Sequence, residues 1–83
     1  MAVIFHPHAL ERMAERGATE DEVLKTIEMG QVFMARFGRR LYSFSFPYQD
    51  YWRSQFFKQK HIDAYTVDDE EDTIVITVIV KYF

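Results

Sequence analysis

His8, Arg12 and Arg16 recur at four-residue intervals, so on a helix they form a single row with one turn between neighbours. Imidazole is the side chain that changes charge near neutral pH, and each guanidinium presents a rigid fork of donors that matches phosphate. Such a row can exchange a proton and hold a phosphate. Metal-free transfer at a phosphate needs those functions: a base for the attacking group's proton, cations for the growing charge on phosphorus, and an acid for the leaving oxygen. A second reading stands beside the first. A histidine at a helix start caps or packs, and Arg12 and Arg16 can pair with Glu11, Glu15 or acids of a following helix while their stems cover the core.

Two further patterns bear on chemistry. His6 and His8 have the spacing of two metal ligands, but no carboxylate or third histidine is close in sequence, so neither a metal nor another cofactor is expected. Between Arg36 and His61 there are six cations against Asp50 alone. In this basic middle Arg36, Arg39 and Arg40 interleave with Phe37, Tyr42 and Phe44, and Arg53 closes the aromatic run from Tyr48 to Trp52. Arg36, Arg39, Arg40 and Arg53 are therefore the candidate RNA contacts, since cations can follow a single strand while rings stack on its bases. A charged hairpin tip and a filled core account for the same residues.

The elements that must position these groups are legible from local signals. Val3–Phe5 reads as a short strand, and Pro7 suits the first position of a helix running to about Arg16, with Gly17 ending it. Ala9, Leu10, Met13, Ala14 and Gly17 form its expected buried stripe. Thr19-Glu20-Asp21-Glu22 reads as a capping box for a second helix with Val23, Leu24 and Ile27 inward and Gly30 at its end. The pattern then alternates: Gln31–Ala35 and Leu41–Phe46 are predicted strands around a turn at Gly38, and Lys60–Val67 and Thr73–Tyr82 are strands around an acidic turn. Pro47 to Gln59 fits either a strand or an ordered loop. In the last strand Ile74, Ile76, Val78, Val80 and Tyr82 fall on one face, and Val75, Thr77, Ile79, Lys81 and Phe83 on the other. The expected core joins Leu10, Met13, Val23, Ile27, Ile76 and Val78. The prediction is one α+β domain over residues 1–83, a two-helix N-terminal hairpin packed on one face of an antiparallel sheet.

Composition sets bounds. With 83 residues, 48% hydrophobic and 17% aromatic, there is material for one core and no second domain. The lack of cysteine excludes thiol catalysis, thiolate metal sites and a disulfide framework, and cytoplasm is the default compartment. No apolar run approaches the ~20 residues that span a bilayer, so no membrane association is expected. The net charge of −3 argues against indiscriminate nucleic-acid binding, whatever the middle segment does.

The order His8-Ala9, Arg12-Met13, Arg16-Gly17, followed by the Thr19 cap, Val23 and a closing strand with Ile76-Thr77-Val78, resembles domain-of-unknown-function family 4258. The resemblance is carried by the two ends of the chain and only weakly by Phe37 to His61. It implies a RelE-like α+β fold, shared by small ribonuclease toxins, and hence a toxin of a toxin–antitoxin pair cutting messenger RNA. It also implies a zinc-finger and helix-turn-helix antitoxin as partner, and a substrate surface on the sheet face away from the helices. Thr77 and Lys81 share the less apolar face of the last strand and join His8, Arg12 and Arg16 as candidate catalytic residues. Their plainer readings are a strand former and a solubilising terminus. A different class of function also fits: a non-enzymatic module that uses the basic, aromatic middle to hold a protein or RNA partner.

Overall fold

In the computed structural model, which describes residues 2–83, each helix begins and ends where a local signal stands. After a short strand, β1 (Val3–Phe5), helix α1 (Pro7–Arg16) starts with Pro7 in its first turn, and His6 Nδ1 caps it by accepting from the His8 amide at 3.1 Å. The capping role thus falls to His6 rather than to His8. Gly17 closes the helix in the left-handed region, at φ 79°. Helix α2 (Glu20–Met29) opens on the predicted capping box: Thr19 Oγ1 accepts from the Glu22 amide at 3.1 Å, and Glu22 Oε1 from the Thr19 amide at 3.0 Å. No helix among the described residues is long and apolar enough to cross a membrane.

The rest is a five-stranded sheet in the order β1-β5-β4-β3-β2, with β2 spanning Gln31–Met34, β3 Arg40–Trp52, β4 Gln55–Asp69 and β5 Asp72–Tyr82. It is mixed rather than purely antiparallel, because β1 runs parallel to β5. Both helices lie between β1 and β2 in the chain and cover one face of the sheet. α1 lies against β5, and α2 against β4 and β3. Pro47 to Gln59 resolves as the outer half of the long β3–β4 hairpin, with a bulge between Pro47 and Asp50 and a two-residue turn at Arg53-Ser54. Both turn residues have positive φ, 51° and 69°, the geometry that matches the twist of paired strands.

The core consists of Ala9, Met13, Ala18, Val23, Ile62, Ala64, Val75 and Val78, with Ile27, Phe46 and Val80 against it. Met13, Val23 and Val78 are buried as predicted, Ile27 partly, but Leu10 is 42% exposed, and Leu24 and Ala14 are also exposed. The buried stripe of α1 is rotated toward its arginines: Ala9 and Met13 are covered, and Arg12 and Arg16 partly so. Strand β5 departs from simple alternation. Tyr65 pairs with Thr77 while Thr66 pairs with Val75, so Ile76 is an extra residue opposite no partner. This bulge brings Val75 and Val78 to the same, helix-covered face and leaves Ile76 only half-buried.

The outer end of the β3–β4 hairpin folds over the end of α1. Lys60, only 4% exposed, donates to the Gly17 carbonyl at 2.5 Å and to Glu22 at 2.8 Å, and its ammonium lies over the Tyr48 and Tyr82 rings. Trp52 stacks on Tyr82, whose hydroxyl donates to the Arg16 carbonyl at 2.7 Å.

Candidate functional site

Alternation along three central strands places one set of polar side chains on the face away from the helices. Lys60, Ile62, Ala64 and Thr66 of β4 are buried under the helices, so His61, Asp63 and Tyr65 point to the open side. Register then fixes their neighbours. Ser45 is opposite His61 and Ser43 opposite Asp63 on one flank; Lys81 is opposite His61, Ile79 opposite Asp63 and Thr77 opposite Tyr65 on the other.

Four of these side chains form one hydrogen-bonded cluster. His61 Nε2 lies 3.0 Å from Asp63 Oδ1 and 2.8 Å from Ser43 Oγ; His61 Nδ1 lies 2.7 Å from Ser45 Oγ; and Ser43 donates to Asp63 Oδ1 at 2.6 Å. An ionised Asp63 can only accept, which favours the proton on Nε2 and leaves Nδ1 as the basic nitrogen. The side chain of His61 is 26% exposed and that of Asp63 17%, so the imidazole is held on both sides yet reachable from solvent. This arrangement can take up a proton at Nδ1 and stabilise the imidazolium with the carboxylate. The hydroxyls of both serines are turned to the His61 and Asp63 side chains, within one proton-sharing network. That geometry suits proton transfer better than acyl transfer.

Recesses flank the cluster at both ends. One, of about 310 Å³, is lined by Ser45, Phe46, Pro47, Gln49, Lys58 and Gln59. The other, of about 460 Å³, is lined by Met34, Ala35, Arg36, Phe37, Arg39 and Tyr65. Both have a cation at the rim, and His61 lies between them along β4.

The predicted residues are divided by the sheet. Thr77 and Lys81 are on the open face, beside Tyr65 and His61, and Arg36 and Arg39 reach it at the β2–β3 tip. His8, Arg12 and Arg16 lie on the helix side and share no cleft with them. His8 is exposed, Arg12 is bound to Glu15 at 3.1 Å, and Arg16 donates to the Val78 carbonyl at 2.6 Å. Arg40, at the same strand parity as buried Ala64 and Ile62, bonds Tyr42 and pairs with Asp68 at 3.3 Å; that bond first, and Asp68 second, raise its pKa. Arg53 stacks on Trp52 and donates to the Glu15 carbonyl at 2.8 Å. The His6 and His8 rings are 5.9 Å apart, and among the described residues no three His, Asp or Glu side chains gather as a metal-binding group. Ser43, Ser45, His61 and Asp63 were not among the candidates read from the sequence. Their signal was two polar pairs at strand spacing, Ser-x-Ser and His-x-Asp, each with an apolar residue, Phe44 or Ile62, between its members.

The family model described as Domain of unknown function (DUF4258) matches residues 5–80, nearly the whole chain. The chain belongs to the DUF4258 family. The DUF4258 match takes in the α1 row and the open-face cluster alike, and Lys81 falls just outside it. No curated protein and no solved structure matches the chain.

Proposed function

We propose that this protein is a metal-independent endoribonuclease acting on single-stranded RNA, with His61 as the proton-transfer residue of the open sheet face. The observation that carries the reading is the His61 imidazole, oriented by Asp63 and both serines and flanked across the strand by Lys81. In the proposed step, His61 Nδ1 takes the proton of a substrate 2′-hydroxyl. The 2′-oxygen forms a bond to phosphorus as the bond to the 5′-oxygen breaks, giving a 2′,3′-cyclic phosphate and a 5′-hydroxyl. Lys81 neutralises the phosphate and its ammonium supplies the proton to the leaving oxygen; the imidazolium left behind is paired with Asp63. Thr77 and Tyr65 extend the polar surface along which the strand lies.

This reading gives proton transfer to His61 rather than to His8, whose row serves α1 and its contacts with β5. A toxin role, with a zinc-finger and helix-turn-helix antitoxin as partner, is part of the proposal and rests on the RelE-like fold that the resemblance to family 4258 implies. The second reading, a non-enzymatic binding module, is favoured by β2, an edge strand with all four residues exposed. Comparing His61→Ala with His8→Ala on RNA tests the assignment: the first is expected to lower cleavage by roughly 10²–10⁴-fold and the second to leave it near the parent value. Equal activity of parent and His61→Ala would overturn it.

A further inference from the structure

Phe37 is in an unusual position for a phenylalanine. Its backbone is in the left-handed region, at φ 63° and ψ 33°, where a side chain with a Cβ is disfavoured. No packing offsets this, because Phe37 is 87% exposed. Next to it, Met34 is 75% exposed, and Arg39 holds its guanidinium 6.0 Å from the centre of the Phe37 ring. A strained residue that displays a bare ring points to a ligand for that ring.

The surroundings indicate which one. Phe37 lines the recess of about 460 Å³ together with Met34, Arg36, Arg39 and Tyr65, a volume in the range of small-ligand sites. Its walls are aromatic and apolar, and among the described residues neither Arg36 nor Arg39 is in an ion pair. Arg40, Tyr42 and Phe44, which share this stretch of sequence, belong to the other side of the sheet, so the recess is built from Phe37 and Tyr65 instead. Tyr65 lies four residues beyond His61 on the same face, about 13 Å along the strand.

We infer that the Phe37–Tyr65 recess is a base subsite, where one unpaired nucleobase stacks on the exposed ring while Arg36 and Arg39 hold its flanking phosphates. The inference rests on the reading of the open face as an RNA surface. It makes the tip of the β2–β3 hairpin the element that selects single strands, since a paired base cannot enter.

The test is binding of a 5′-fluorescein oligoribonucleotide of about 12 nucleotides, followed by anisotropy in the His61→Ala background so that the probe stays intact. Phe37→Ala and Phe37→Gly are each expected to weaken binding roughly 5- to 150-fold, Phe37→Trp to retain it, and the same sequence as a duplex to bind no better than Phe37→Ala. Phe37→Gly relieves the positive φ, so its melting temperature should not fall, which separates a lost contact from a lost fold. If the parent binds the probe and Phe37→Gly binds it equally well, the subsite is overturned while the RNA reading stands. The subsite is likewise overturned if the Phe37 variants leave affinity unchanged and alter only the protein's size in solution, as a self-association surface would. If the parent does not bind the probe at all, both fall.

Discussion

Replacing Gly17 with alanine should destabilise the protein by about 2–5 kcal/mol, the sum of a backbone cost and two broken contacts. Gly17 has φ 79°, and left-handed backbone costs an alanine roughly 1–2 kcal/mol. A Cβ built there meets Trp52 Cζ3 at 2.6 Å and the Tyr82 hydroxyl at 2.8 Å, closer than atoms can sit, so both side chains must move. Moving Trp52 breaks its stack on Tyr82, at 5.0 Å between centres, worth about 0.5–1.5 kcal/mol. Moving Tyr82 loses its bond to the Arg16 carbonyl, a net ~0.5–1.5 kcal/mol. Urea unfolding followed by circular dichroism measures the change, and a melting temperature lower by roughly 8–40 °C should accompany it. Truncating Trp52 removes part of the clash, so Gly17→Ala should cost less in a Trp52→Ala background, with a coupling of about 0.5–3 kcal/mol. A Gly17→Ala protein within ~0.5 kcal/mol of the parent, or strict additivity in the double mutant, would refute the packing of the hairpin on the end of α1.

Met13→Ala should cost about 2–5 kcal/mol, because the side chain is 3% exposed, whereas half-solvated Leu10→Ala should cost clearly less; denaturant midpoints of the two variants decide it. The Thr66 hydroxyl is buried without a hydrogen-bond partner among the described residues, so Thr66→Val should raise stability by about 1 kcal/mol, read from the same unfolding curves. The Tyr82 phenol is pushed up to about 12, chiefly by burial and then by Tyr48 and Glu22, with Arg53 opposing. The unfolded chain therefore ionises first, near pH 10, so the contribution of Tyr82 is full below that value and is lost as pH rises through about 12. Unfolding midpoints across that range should fall less steeply for Tyr82→Phe than for the parent.

Helix ends were legible in the sequence because their causes are local: Pro7, Gly17, the Thr19–Glu22 box and Gly30 act within a turn of where they stand. The sheet was legible only as far as alternation holds. The extra residue at Ile76 shifts Val75 into the core, and the bulge after Pro47 hides the period of the outer hairpin; both depend on which strand lies opposite. The parallel docking of β1 on β5 joins residues about seventy positions apart and has no local mark. The same limit concealed the candidate site. His8, Arg12 and Arg16 are conspicuous because helical spacing brings them together on paper, whereas His61 meets Ser43 across 18 positions through cross-strand register. Thr77 and Lys81 of the open face were recoverable from the period of one strand.

The most direct measurement of the account is cleavage of a single-stranded RNA by the purified, folded protein in the presence of a chelator, with the new ends identified by mass. The expected products are fragments ending in a 2′,3′-cyclic phosphate and a 5′-hydroxyl, with no cut where the scissile nucleotide lacks its 2′-hydroxyl and a loss of roughly 10²–10⁴-fold in His61→Ala. RNA left whole by the parent, or cut equally well by His61→Ala, would contradict the proposal.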